Sequence, residues 1–282
     1  MAITIEAHQR DYLQAVPPKL LSAHDQKMAE TPRWVADGRQ QSKKLETNLD
    51  HLEDSHGIAD EIFSSFSKFT AGIDKTIVHQ EIHLHDTPEI ITGDDAVGNK
   101  DHKAMRQRRW EMERIAFALL TGEKNALTGE ENIPDPNLRQ GLRDLYKKYN
   151  DCRPARWKTL AQLSQERAEK GEPAPRKWET LSQPEIDAAM SDRESLLAHF
   201  IDKIQASRYG IEYVFENDEL CKNSVDNIVE YAVPLFRATP AEGRVECIRL
   251  VLKELERFKD SGFAEPGIKG RSDFLSAISA LT

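Results

Sequence analysis

The chain has 282 residues, 39% hydrophobic and 31% charged, with a net charge of −9. That length suits one large domain or a domain with an extension, since a single core grows to roughly 250–300 residues before it splits. No apolar run approaches the roughly 20 residues that span a bilayer, and the acidic balance disfavours bulk nucleic-acid binding, which depends on Lys and Arg neutralising phosphates.

Met1 to Arg10 already carries Glu6 and His8 and lacks the basic start and apolar stretch of a signal peptide. Cytoplasmic residence is the expectation. Cys152, Cys221 and Cys247 are widely spaced with no C-x-x-C pair, which argues for reduced thiols rather than a disulfide framework or a thiolate zinc site.

Helical periodicity runs through the chain. Leu45 to Phe69 places Leu49, Leu52, Ile58, Ile62, Phe63, Phe66 and Phe69 at three- and four-residue steps, with Gly72 as a stop signal. Asp74 reads as the N-cap of a second helix ending near Asp86. Thr87 to Lys100 reads as a loop broken by Pro88, Gly93 and Gly98. A third helix is expected over Asp101–Leu120, a loop over Gly122–Pro136, and shorter helices near Asn137–Tyr149 and Trp157–Lys170. The Pro-rich run Gly171–Lys177 follows, then a long helix over Ser191–Phe215. Helices near Ser224–Phe236, Ala241–Phe258 and Asp273–Leu281 complete the series. Strand signals are scarce, so the expected fold class is all-α. Between Arg139 and Lys158 seven basic residues face only Asp144 and Asp151. This is a solvated helix face, or else a patch that attracts an anionic substrate.

The chemistry concentrates in Val78 to Asp95, which holds His79, His83 and His85 with Glu81, Asp86, Glu89, Asp94 and Asp95; His102 follows. A His followed directly by an Asp at a helix end offers an imidazole nitrogen and a carboxylate oxygen to one borderline divalent metal. Two neighbours do not close a coordination shell. Further ligands must come from elsewhere, with His51 and His56 upstream and Asp202 downstream as candidates. Asp202 sits among Leu196, Leu197, Phe200, Ile201 and Ile204, where a carboxylate is costly unless paired or metal-bound. An ion pair with Lys203 or Arg208 is the competing reading.

The pattern H…HD…D resembles the HD-domain metal-dependent phosphohydrolase superfamily. It is most similar to the YfbR-like 5′-deoxynucleotidase branch, whose H-D-x-x-E-x-x-x-G-D run is matched by His85, Asp86, Glu89, Gly93 and Asp94. His51 lies 34 residues before His85, close to the family spacing, whereas His56 lies only 29 before it. The resemblance implies a helical bundle over about 31–215 with an insertion at about 122–190. It does not extend to the flanking segments, which are read as an N-terminal helical segment at 1–30 and a C-terminal helical extension over 216–282.

It also implies that His51, His85, Asp86 and Asp202 hold one divalent metal (Mn, Co, Mg, Fe, Ni or Zn). Glu89 and Asp94 would handle the attacking water and the leaving oxygen. Arg33 and Trp34 match the family's Arg-Trp pair that contacts phosphate and sugar, and Lys43 and Lys44 compete for the phosphate. The expected activity is removal of phosphate from a nucleotide, foremost a deoxynucleoside 5′-monophosphate. A triphosphate hydrolase, a nucleotide-binding regulatory protein on the same scaffold, and a dinuclear iron oxygenase recruiting His79, His83 or His102 are the alternatives. The expected partner is the nucleotide alone, with neither membrane nor stable nucleic acid. The 122–190 stretch fits a lid, a specificity insert or a homodimer contact.

Overall fold

A computed structural model describes residues 18–33, 35–36, 39–40, 44–92, 102–125, 127–129, 131–151, 169–171, 192–216 and 218–279. The fold is all-α. The helices in chain order are α1 (Pro18–Glu30), α2 (Asn48–Ser65), α3 (Lys75–His85), α4 (Glu89–Thr92), α5 (His102–Leu120), α6 (Pro136–Asp151), α7 (Arg193–Tyr209), α8 (Asp218–Ala238), α9 (Arg244–Asp260) and α10 (Ala264–Ser279). Val35–Ala36 and Arg39–Gln40 make one short antiparallel pair, β1–β2. Among the described residues no helix is long and apolar enough to cross a membrane.

The chain divides into two compact units. One comprises Met1–His56 and His79–Lys148, the other Gly57–Val78 and Tyr149–Thr282. The partition is interleaved rather than linear, and its boundaries fall inside α2, α3 and α6.

In the first unit, Leu84, Phe117, Ile133, Leu142 and Tyr146 form a buried cluster. The Phe117 and Tyr146 rings stack with centroids 4.1 Å apart. Two of the basic residues of α6 are used structurally. Arg139 donates to the carbonyls of Ile133 and Pro134, and Arg143 to that of Ala118. For these two guanidiniums the observed role is to hold loop and helix-end carbonyls.

α2 begins at Asn48, three residues later than the apolar spacing suggests. Thr47 and Asp50 form a reciprocal cap, with the Thr47 hydroxyl donating to Asp50 Oδ2 and accepting from the Asp50 amide. This cap sets the helix start and leaves Leu45 outside. The expected loop from Thr87 also needs correction, since α4 forms there. Pro88 does not break the chain here: it sits at the helix entrance, where a missing N–H costs nothing, and its carbonyl accepts from the amides of Ile91 and Thr92. α1 packs on α4, and α4 on α5.

In the second unit α7 packs on α8, and α8, α9 and α10 pack on one another. Asp74 caps α3 as expected, accepting from the Thr76 and Ile77 amides. Asp192 caps α7 through the Ser195 amide. α7 passes at Gly210 into a π-helical turn, Gly210–Val214. α10 starts nine residues earlier than the expected Asp273. Pro266 falls in its first turn, where proline is tolerated. Gly270 is required by packing: a Cβ there would stand 2.3 Å from Val225 Cγ1. Arg208 grips Glu254 with two hydrogen bonds of 2.9 and 2.6 Å and also reaches Glu61.

Candidate metal and acid–base site

The site residues of the first unit converge from three chain segments. An antiparallel bridge pairs Pro32 with Thr47, and the Arg33 amide donates to the Glu46 carbonyl. Arg33 is thereby fixed beside the start of α2. One turn into α2 stands His51, fully buried. At the end of α3, His85 and Asp86 close the group. His51 Nε2 lies 3.5 Å from Asp86 Oδ2, and His85 Nε2 lies 3.1 Å from Asp86 Oδ1. The two imidazole rings are 5.5 Å apart. His85 Nδ1 donates to the Ile82 carbonyl, which places a proton on Nδ1 and leaves Nε2 as the ring atom facing Asp86.

Arg33 Nη1 donates to Asp86 Oδ2 at 2.6 Å, and its Nε lies 3.6 Å from Glu46 Oε2. Burial raises the pKa of the Asp86 carboxyl. His85, Arg33 and His51 outweigh that and hold it well below the ordinary carboxylate range. Asp86 is therefore an anion at neutral pH, as a ligand must be. Two imidazoles and a carboxylate held close together are donor types that suit a divalent cation of the Mn–Zn series. Glu89, the first residue of α4, is buried close by in sequence, and its Oε2 accepts from Asn48 Nδ2 at 2.9 Å.

A second group of histidines stands apart in the same unit. His56 Nδ1 and His79 Nδ1 are 2.7 Å apart, so the two rings share one proton between those atoms. The two rings lie nearly coplanar, 6° apart, and the His83 ring lies 6.1 Å from that of His56. Burial holds His24 down to about 4. Burial, helped by His24 and His85, holds His83 down to about 3. His79 and His83 thus gather with His56 and not with His51.

No family model, curated protein or solved structure matches the chain. The site therefore rests on its own geometry.

In the second unit α7 carries Asp202, buried with 4% of its surface exposed. Its Oδ2 pairs with Lys203 Nζ at 2.5 Å, whereas Arg208 is taken up by Glu254 and Glu61. One turn before Asp202, His199 is sandwiched between Tyr149 and Tyr231 and bonds the Tyr149 carbonyl at 2.8 Å.

Lys44 is exposed just before α2. Trp34, Lys43, Asp94 and Asp95 lie outside the described residues, as do the His102 side chain and most of the 122–190 stretch after Asp151. Sequence reasoning missed Glu46, Asn48 and His24, all buried polar residues. The Thr47–Asp50 capping box was the signal available for the first two, because it places both at the mouth of α2.

Proposed function

We propose that the chain is a metal-dependent phosphohydrolase of the HD-domain type, acting on a nucleoside 5′-phosphate. The observation that carries this is the buried His51–Asp86–His85 group, in which one locked carboxylate stands between two imidazole Nε2 atoms. In this reading His51, His85, Asp86 and Asp202 hold one divalent ion. His51, His85 and Asp202 are all buried and each offers one ligand atom. The ion would supply Lewis acidity, polarising the phosphoryl group and acidifying water.

The chain's own residues do the rest. Arg33 keeps Asp86 ionised and oriented. Glu89 takes the proton of the attacking water, and Asp94 returns one to the leaving sugar oxygen. Arg33, Trp34 and Lys44 are assigned to the phosphate and sugar by the resemblance. Arg33, bonded to Asp86, would have to serve both the ligand carboxylate and the substrate.

The test is phosphate release from a panel of nucleoside and deoxynucleoside mono- and triphosphates with Mn, Co or Mg. Release from 5′-monophosphates that stops on chelation and returns with metal is the expected result. Turnover unaffected by chelation, or unchanged in Glu89→Ala, rules the reading out. Tight nucleotide binding without turnover under any metal would favour the regulatory reading instead.

A further inference from the structure

Asn48 is the first residue of α2, and its side chain is completely buried. Its backbone amide donates to the Thr31 carbonyl at 2.9 Å, tying the helix start to the Pro32–Thr47 bridge. Its side-chain Nδ2 donates to Glu89 Oε2 at 2.9 Å across 41 residues of chain. A carboxylate only accepts, so Glu89 dictates which end of the amide faces it, and Oδ1 is turned the other way. Among the described residues Oδ1 accepts no hydrogen bond. Burying such a bond between α2 and α4 fixes the mouth of the helix that carries His51 to the residue three places after Asp86.

We propose that Asn48 is a positioning residue for Glu89, holding the carboxylate in the one rotation in which Oε1 meets the attacking water. This rests on the phosphohydrolase reading above. A general base works only within hydrogen-bond reach of the proton it takes, and a hydrogen bond from a neutral amide to a carboxylate is short and directional. The amide holds Oε2, which turns the other oxygen away from Asn48. Without the amide, Glu89 loses the contact that sets Oε2, and the base is present but less well placed. Burial alone gives a competing account, in which Asn48 merely ties α2 to α4.

A double-mutant cycle separates the two. Phosphate release is measured for wild type, Asn48→Ala, Asn48→Asp, Glu89→Gln and Asn48→Ala/Glu89→Gln, with thermal melts of each. Loss of a residue that orients a site group typically costs about 10–100-fold. Asn48→Ala is expected to lower kcat by that factor with KM within about twofold, and to add nothing in the Glu89→Gln background. Asn48→Asp, the same shape without the donor and with a like charge against Glu89, should be at least as poor as Asn48→Ala. Equal loss in both Glu89 backgrounds, a mild Asn48→Asp, or unchanged kcat in a folded Asn48→Asp overturns the proposal. If wild type releases no phosphate, the phosphohydrolase reading fails and the role of Asn48 fails with it. Wild-type turnover with an additive cycle overturns the role of Asn48 alone.

Discussion

Asp86→Asn is expected to cut phosphate release by about a thousandfold while the protein still folds. The substitution keeps the size of the side chain and removes its charge. His51 Nε2 and His85 Nε2 both stand within 3.5 Å of this carboxylate, so a neutral amide weakens the hold on a cation at its centre. The loss of several kcal/mol of charge stabilisation on a phosphoryl group corresponds to about three powers of ten in rate, at 1.36 kcal/mol per tenfold. Folding should survive because Arg33 retains Glu46 nearby, at 3.6 Å. Removing one partner of a buried ion pair outright costs about 3–5 kcal/mol, so Asp86→Ala should lose stability as well as activity. Initial rates, a thermal melt and bound-metal analysis on both variants distinguish the effects. Full activity in Asp86→Asn would contradict the assignment.

The second large effect is on stability in acid. His24 has an ordinary value of 6.5 and is held down to about 4 by burial. The unfolded chain therefore takes up a proton near pH 6.5 that the folded chain refuses until about pH 4. More protons bound by the unfolded state means that stability rises with pH. The contribution of His24 is complete above pH 6.5, is lost as pH falls from there towards 4, and levels off below. The cost is on the order of 3 kcal/mol at the bottom of that window, taking 1.36 kcal/mol for each tenfold. His83 acts with the same sign, over a window from 6.5 down to about 3.

Urea melts at pH 7.5 and pH 4.5 should show marked loss of stability at the lower pH, and His24→Phe should flatten the difference. An equal drop in His24→Phe would mean that other groups carry the acid sensitivity. Asp86, held low, loses its contribution only in stronger acid, below the ordinary carboxylate range, so the windows of His24 and Asp86 do not coincide.

Much of the helical order was legible because long amphipathic periodicity survives in a single sequence. The capping residues Asp74 and Asp192 sit where the chain needs them, and α5, α6 and α9 fall within a few residues of their expected bounds. Helix starts beside proline are harder to place. Pro88 looks like a breaker, yet the entrance of a helix has no use for its missing N–H, and Pro266 in the first turn of α10 escapes the same cost. Gly270, inside α10, allows a close approach to Val225.

The grouping of His51 with His85 and Asp86 was legible because an adjacent His–Asp pair at a helix end demands further ligands. The resemblance then favoured His51 over His56. What could not be read were the long-range partners of buried polar side chains. Asn48 reaches Glu89 over 41 residues and Arg33 reaches Asp86 over 53. Neither residue is marked by its neighbours in sequence. His79 and His83 lie four apart on one helix face, and both meet His56. That His56 is what they face depends on how α2 and α3 pack in the first unit.

The most direct test is the metal content of the purified protein after reconstitution with Mn, Co or Zn, compared between wild type, His51→Ala and Asp202→Asn. One ion per chain in wild type, and its loss from both variants while both remain folded, is the predicted result. No bound ion in wild type, or a full complement retained in His51→Ala and Asp202→Asn alike, would contradict a hydrolytic centre built on these side chains.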